Sequence, residues 1–161
     1  MESVLTFPRT VFREDHEMLR QTVRRFLERE CKPRQAQWDQ DGKVDRETWL
    51  KAGREGLLCT ALDPEWGGAG GDFGHSAVIV EEIARAGISG LGFGLHSDIV
   101  APYIERLGTE AQKRQWLPKA ASGEVILAIA MSEPGAGSDL KAIRTTARRE
   151  GDEYVINGAK T

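Results

Sequence analysis

Apolar residues recur at helical spacing through most of the first 121 positions of the chain. In residues 12–30 an apolar stripe alternates with charged positions, and this period of 3.6 residues predicts an amphipathic helix that ends at Pro33. The same period predicts helices over residues 45–57, 74–86 and 91–107. The charged positions of the first helix, which are expected to face water, are Arg13, Glu17, Arg20, Arg24 and Glu28.

Start and stop signals refine the predicted helices. Asp45 is the expected N-cap of the second helix, since a short acidic side chain can accept the first free backbone N–H groups. Pro102 is expected to kink or break the fourth helix, because its ring removes a backbone donor. Thr109 and Gln112 have the spacing of a capping box, which predicts a short helix that ends near residue 121.

Some positions in this helical region leave more than one interpretation. The glycine-rich residues 61–74 are predicted to be a connection between helices rather than a nucleotide loop, because no GxGxxG or GxxxxGK[ST] motif is present. Glu81 and Glu82 are expected at the solvated edge of the third helix. His16 falls on an apolar stripe and is predicted to be packed and hydrogen-bonded, whereas His96 fits a ligand-lining or a polar-face position equally well.

The periodicity changes after Gly123. Residues 125–130 are mostly aliphatic and precede a loop rich in glycine, which predicts a buried strand that runs into a tight turn. Further strands are predicted over residues 143–149 and 153–156, joined by a turn at Gly151-Asp152. The Asn157-Gly158 pair is a type I′ hairpin signal, so another strand is expected to follow it.

The predicted fold is therefore mainly α, with an N-terminal helical bundle domain over residues 1–124. It is followed by the first strands of a truncated β-barrel domain over residues 125–161. Because a sheet cut at Thr161 has an unpaired edge, we expect the chain to be a fragment of a longer protein.

Composition excludes several classes of function. The 161 residues carry a net charge of −3 with a pI near 5.7, which argues against a nucleic-acid partner and gives no reason to expect an anionic membrane surface. Cys31 and Cys59 lack CxxC spacing and are predicted to be reduced core thiols, with no metal site. The first 15 residues lack the charged and apolar regions of a signal peptide, so an intracellular location is expected.

The loop over residues 132–139 is the candidate site for chemistry. It contains two glycines, two hydroxyl groups and two carboxylates. Glycine removes the Cβ that holds a ligand away, so backbone N–H groups and the hydroxyls of Ser132 and Ser138 can approach an anion. Glu133 and Asp139 are expected to stabilise turns rather than act as acid–base catalysts.

The sequence AMSEPGAGSDL, residues 130–140, resembles the signature of the acyl-CoA dehydrogenase family. The segments PEWGG at 64–68, LPKAASGE at 117–124 and GDEYVINGAK at 151–160 are similar to other parts of that family, in the same order. The sequences of residues 38–57 and of AIAMSEPGAGSDL are most similar to those of the family's long-chain branch.

This resemblance implies an FAD-dependent enzyme that oxidises the Cα–Cβ bond of an acyl-CoA thioester, and medium to long acyl chains are the expected substrates. It implies that Ser132 bonds the flavin ring, and that Gly137 and Ser138 reach the pyrophosphate or the bound thioester. The implied cofactor-binding residues are Ile129, Ala130, Met131, Ser132, Gly137 and Ser138, and Ser138 is the implied substrate-binding residue.

The resemblance also implies what lies outside the chain. The family's catalytic glutamate falls beyond Thr161, so residues 1–161 alone are expected to be inactive. The implied partners are an electron-transfer flavoprotein and further copies of the same chain. The implied location is the cytoplasm of a prokaryote or the mitochondrial matrix of a eukaryote.

Two rival interpretations remain at this point. A hydrolase would use Ser132 or Ser138 as nucleophile with His16, His75 or His96, although no GxSxG elbow is present. A truncated, inactive relative could instead serve as a helical module that binds acyl-CoA or a protein.

Overall fold

The computed structural model describes residues 9–161, so most of the segment from which an intracellular location is predicted lies outside the described residues. The chain divides into two compact units, of which the first ends at Leu127 and the second spans Ala128–Thr161. The first unit is helical and the second contains a β-hairpin. The predicted mainly α fold with strands near the C-terminal end is confirmed.

The first unit contains six α-helices in the described residues. They are α1 (Glu14–Phe26), α2 (Gln35–Asp41), α3 (Arg46–Arg54), α4 (Phe73–Ala86), α5 (Ala101–Leu107) and α6 (Glu110–Ala121). The second unit contains β1 (Thr146–Glu150) and β2 (Glu153–Asn157).

The predicted end of the first helix at Pro33 is wrong. After α1 the chain continues as a π-helical turn over Leu27–Cys31 and a 3₁₀ turn over Lys32–Arg34, and then enters α2. The Lys32 N–H bonds to the carbonyl of Leu27, five residues back, so the widened turn accommodates the proline ring. The sequence pattern indicated neither this turn nor α2.

Pro102 is accommodated in the same way: the chain stays helical across it, so the predicted break does not occur and only the type of helix changes. Leu95–Val100 is a π-helical segment, in which the Ala101 N–H reaches the carbonyl of His96. The proline then occupies the first turn of α5, where its missing N–H costs nothing.

Helix caps explain where α3 and α6 begin. Asp45 accepts the backbone N–H of Thr48 at 2.9 Å, which confirms it as the N-cap of α3. In the predicted capping box, Gln112 accepts the Thr109 N–H at 2.8 Å and donates its own N–H to the Thr109 hydroxyl at 3.3 Å. Both caps satisfy donors that the first helical turn leaves unpaired.

A buried ion network joins α1 to α4. Glu82 is only 3% exposed, and it accepts hydrogen bonds from Arg20 at 2.8 Å and from Arg24 at 2.6 Å. The predictions that Arg20 faces water and that Glu82 marks a solvated edge are therefore wrong. Burial alone raises the pKa of Glu82, but the hydrogen bonds from Arg24 and Arg20 outweigh it and lower that pKa.

Two apolar clusters form the core of the helical unit. In the larger one α1 and α3 contribute Phe26 and Trp49, and Phe93 packs edge-on against Trp49 with ring centroids 4.9 Å apart. In the smaller one Leu117 of α6 is fully buried beside Trp66, from the glycine-rich connection between α3 and α4.

The beginnings of α1 and α4 share one carboxylate. Asp72 is the N-cap of α4 and accepts the Gly74 N–H at 2.9 Å. The same side chain accepts from Nε2 of the buried His16 at 2.8 Å and from the Arg13 guanidinium at 2.7 Å. The prediction of a packed, hydrogen-bonded His16 is confirmed.

The second unit differs from its predicted strand pattern in two places. Residues 125–130 form no strand in the described chain, because a strand needs a hydrogen-bonded neighbour and these residues have none there. Their side chains alternate between half-buried and exposed. The hairpin of β1 and β2 is confirmed, with Glu150 opposite Glu153 across the Gly151 turn.

Asn157-Gly158 does not form the predicted type I′ turn. That turn requires positive φ at both central residues, and neither residue has it. A Cβ at position 158 would lie 2.1 Å from the Thr145 hydroxyl oxygen, so the glycine serves close approach of two chain segments instead.

Among the described residues, no helix has the length and apolar character needed to cross a membrane.

The Glu82 network gives a stability prediction. Glu82→Ala removes one of the three carboxylates that pair with the buried Arg20, besides Glu17 and Glu81, and we expect it to lower the free energy of unfolding by roughly 2 kcal/mol, the loss of charged hydrogen bonds. Urea denaturation measures this change. The matched control is Glu28→Ala, whose exposed pair with Lys32 contributes under about 1 kcal/mol. Equal losses in the two variants would contradict the assigned role of Glu82.

Candidate functional site

A tight turn organises the candidate loop of the second unit. The Glu133 N–H donates to the Ala136 carbonyl at 2.9 Å, and the Ala136 N–H donates back to the Glu133 carbonyl at 3.0 Å. Pro134 and Gly135 form the tip of the turn between them. This pairing places Ser132 and the residue that follows Ala136 on adjoining stretches of chain.

The Glu133 side chain holds the turn against the rest of the unit. Its carboxylate accepts the backbone N–H of Arg144 at 2.7 Å, the N–H of Thr145 at 3.1 Å and the ammonium of Lys160 at 3.0 Å. The Arg144 N–H, together with contacts from Thr145 and Lys160, lowers the pKa of Glu133 to about 2. The carboxylate stabilises the fold of the loop, as predicted.

Asp139 has a similar but smaller role. Its carboxylate accepts the backbone N–H of Lys141 at 3.1 Å, at the start of a short 3₁₀ turn over Leu140–Ala142. This geometry confirms the expectation that Asp139 stabilises a turn.

Two carbonyls of the candidate segment are also held in place. Lys160 donates to the Met131 carbonyl at 3.1 Å, and the Thr161 N–H donates to the Ser132 carbonyl at 3.1 Å. The acceptors of these two peptide units are thereby occupied by protein donors.

All six predicted cofactor-binding residues lie in this second unit, and most of them are exposed. Ile129 is half-buried; Ala130, Met131, Ser132, Gly137 and Ser138 are exposed. A Cβ built on Gly137 would meet no atom within 4 Å, so its backbone is open to a ligand. The backbone N–H groups of Ser132, Gly137 and Ser138 have no acceptor in the described part of the chain.

The exposed edge of this segment carries three free backbone N–H groups and the hydroxyls of Ser132 and Ser138. Hydroxyls and free N–H groups point to the chemistry of a ligand rich in acceptors, such as phosphate oxygens or the carbonyls and ring nitrogens of a flavin. The residues present therefore fit one wall of the flavin site that the sequence resemblance implies.

The three histidines give no support to a hydrolase. His96 is fully buried, its Nδ1 accepts the Leu127 N–H at 3.0 Å and its Nε2 lies 3.1 Å from the Ala120 carbonyl. It is a packing residue, neither a ligand-lining nor a polar-face histidine. His16 and His75 both bond to Asp72, the N-cap of α4: His16 through the Asp72 carboxylate and His75 through the Asp72 backbone N–H.

A cluster of Asp15, His16 and His75 offers potential metal ligands within 4.8 Å of one another. However, Nδ1 of His16 accepts the Arg13 N–H at 3.1 Å, and Nδ1 of His75 accepts the Asp72 N–H at 3.1 Å. Nε2 of His16 is also engaged, by the Asp72 carboxylate at 2.8 Å, so both ring nitrogens of His16 already have partners within the chain. These histidines serve the helix N-termini.

Both cysteines are free and buried, and burial raises the pKa of each thiol to about 12. Neither is a reactive thiolate at neutral pH.

Sequence reasoning missed four residues that shape the candidate loop. Lys160 follows an apparent hairpin turn, which suggested that it continued into a strand. The other three residues, Thr161, Arg144 and Thr145, contribute backbone N–H groups. Every residue except proline has such a group, so the residue type does not predict the contact. The Glu133–Lys160 pair joins positions 27 residues apart, and periodicity does not report such contacts.

Comparison with known proteins is consistent across sequence and structure. A family profile described as "Acyl-CoA dehydrogenase, N-terminal domain" matches residues 13–124. The mitochondrial long-chain specific acyl-CoA dehydrogenase of Sus scrofa is 45% identical over 152 residues, which cover 94% of this chain and 35% of that protein. The chain thus spans about a third of the length of the curated relatives it matches.

The chain is also similar to solved structures of acyl-CoA dehydrogenases. An acyl-CoA dehydrogenase from Geobacillus kaustophilus superposes with a TM-score of 0.89 at 50% identity, over 96% of this chain and 40% of that chain. An acyl-CoA dehydrogenase from Bacillus anthracis, complexed with FAD, superposes with a TM-score of 0.80 at 35% identity, over 96% of this chain and 27% of that chain.

The contacts of Glu133 predict its titration. Because its pKa is about 2 in the folded chain and about 4.3 for an unperturbed glutamate, its ionised form stabilises the fold above about pH 4.3. That contribution is lost as the pH falls towards 2. Carboxyl ¹³C NMR should show a Glu133 midpoint near 2. In Lys160→Met the midpoint should rise but stay below the ordinary value, since both backbone donors remain. An ordinary midpoint in the unmodified chain would contradict the described contacts.

Proposed function

Because the chain belongs to the acyl-CoA dehydrogenase family, we propose that the full-length protein uses FAD to oxidise the Cα–Cβ bond of an acyl-CoA thioester. The observation that carries this proposal is the donor-rich, exposed edge of residues 129–138, within a chain that matches the family along most of its length. Bound FAD supplies the acceptor for the hydride that leaves the substrate.

We propose that Ile129, Ala130, Met131 and Ser132 lie along the flavin. The Ser132 hydroxyl and N–H are free to donate to acceptors on the ring. The N–H groups of Gly137 and Ser138 would donate to the pyrophosphate, and Ser138 would also contact the bound thioester ligand. Backbone donors suit these tasks because they are held by the chain and need no reorganisation when the ligand binds.

The proposed substrates are medium to long acyl chains. Support comes from the long-chain specific relative of Sus scrofa, which is 45% identical. It also comes from an exposed groove of about 380 Å³ along α5, whose apolar lining includes Ile99, Tyr103 and Leu107. An aliphatic chain gains about 0.8 kcal/mol for each methylene that such a surface removes from water.

The remaining parts of the proposal concern the full-length protein. An electron-transfer flavoprotein would reoxidise the flavin, the protein would be a homo-oligomer, and the domain boundary would lie between residues 124 and 125. We place the enzyme in the cytoplasm of a prokaryote or in the mitochondrial matrix. The base that removes the α-proton would lie beyond Thr161, so residues 1–161 alone would not complete the reaction.

The proposal predicts a clear difference between two proteins. The full-length protein should bind FAD stoichiometrically, and its flavin absorbance should bleach when medium- or long-chain acyl-CoA is added anaerobically. Residues 1–161 alone should show no turnover with an artificial electron acceptor. A panel of acyl-CoA chain lengths measures the preference. A full-length protein without FAD or without bleaching would overturn the proposed activity.

Ser132 gives a residue-level prediction. In the full-length protein Ser132→Ala should weaken FAD binding about tenfold, the usual effect of losing one hydrogen bond to a ligand. Fluorescence titration of the apoprotein measures the dissociation constant. Thr146→Val is the control, because Thr146 is exposed on β1 and outside the candidate loop. An unchanged dissociation constant for Ser132→Ala would remove Ser132 from the flavin contacts.

A further inference from the structure

We propose that Glu133 and Lys160 are positioning residues, which turn the carbonyls of Met131 and Ser132 away from the flavin and leave the Ser132 N–H and hydroxyl facing it. This inference rests on the proposed function. It concerns side chains that do not touch the cofactor themselves, and it assigns a role to a residue pair that the sequence pattern did not join.

The first observation is that one ammonium group holds two parts of the loop. Lys160 Nζ lies 3.0 Å from a Glu133 carboxylate oxygen and 3.1 Å from the Met131 carbonyl oxygen. The neighbouring Thr161 N–H donates to the Ser132 carbonyl at 3.1 Å. The end of the chain thus fixes two successive carbonyls of the segment proposed to line the flavin.

The second observation is that Glu133 is itself held firmly. Its side chain is only 6% exposed, and the N–H groups of Arg144 and Thr145 fix the carboxylate from another part of the unit. Lys160 therefore binds to a charge whose position the backbone sets. A charge-assisted hydrogen bond to a fixed partner positions a lysine head group better than a bond to a mobile one.

The third observation is the close approach that brings Lys160 back to the loop. Gly158 lies against Thr145, where any Cβ would come within 2.1 Å of the hydroxyl oxygen. Glycine at this position lets the last residues of the described chain run beside Thr145, towards Glu133. The type I′ turn that the sequence indicated would have required positive φ at Gly158, which this close-packed path does not use.

These contacts have a chemical consequence for the ligand. With the Met131 and Ser132 carbonyls occupied, the polar groups left free on Ser132 are its N–H and its hydroxyl. An oxidised flavin presents carbonyl oxygens and unprotonated ring nitrogens, which accept hydrogen bonds. A free backbone carbonyl facing them would repel them, whereas a donor edge is complementary.

The test compares variants of the full-length protein with FAD as the probe. Glu133→Gln and Lys160→Met should each weaken FAD binding about tenfold. They should also shift the visible absorption bands of the flavin that remains bound, since those bands respond to hydrogen bonds at the ring. Lys160→Arg retains a charged donor and should stay within about threefold of the unmodified protein. Lys141→Met, an exposed lysine of the same unit, is the matched control and should change neither quantity.

The outcomes are distinguishable. A purely structural role for the pair would lower the melting temperature without moving the bands of bound flavin, and that result would overturn the inference while the proposed function stands. Unchanged affinity and spectrum in Lys160→Met would do the same. An unmodified full-length protein that binds no FAD would overturn both proposals. If Glu133→Gln does not fold, Lys160→Met decides alone, because the Lys160 side chain is 32% exposed and two backbone N–H groups still bond the Glu133 carboxylate after it is removed.

Discussion

A carboxylate withdrawn from water must be surrounded by donors, and this requirement shapes both units of the chain. In the helical unit Glu82 meets it with the guanidinium groups of Arg20 and Arg24, which ties α1 to α4. In the second unit Glu133 meets it with two backbone N–H groups and Lys160. The first arrangement builds a scaffold, and the second shapes the loop proposed to face a flavin.

Local signals in the sequence predicted local structure well. The Asp45 cap and the Thr109 capping box depend on neighbours within one turn, so spacing along the chain reveals them. The same reasoning failed where tertiary contacts decide the outcome. Glu82 and Arg20 appeared to be surface charges because each is polar, but both are buried within a network of opposite charges that includes Arg24 and Glu81.

The candidate site shows the same division. The residues of the exposed loop could be named from the sequence, because the loop is rich in glycine and serine and matches the signature sequence of the family. The residues that hold the loop could not, because Arg144 and Thr145 contribute only backbone groups and Lys160 arrives from a distant part of the chain. The error at Asn157-Gly158 has one physical cause. Glycine is needed there because a Cβ would collide with Thr145, whereas the sequence pattern was interpreted as a need for positive φ.

The carboxylate shared by α1 and α4 has a consequence for how the helical unit opens. Asp72 caps α4 and also accepts from Arg13 and His16 at the beginning of α1. If the first turn of α4 unwinds, α1 loses its partner, and the reverse also holds. Fraying at one helix end therefore weakens the other, so we expect the backbone amides at these two distant segments to exchange their hydrogens in a coupled way.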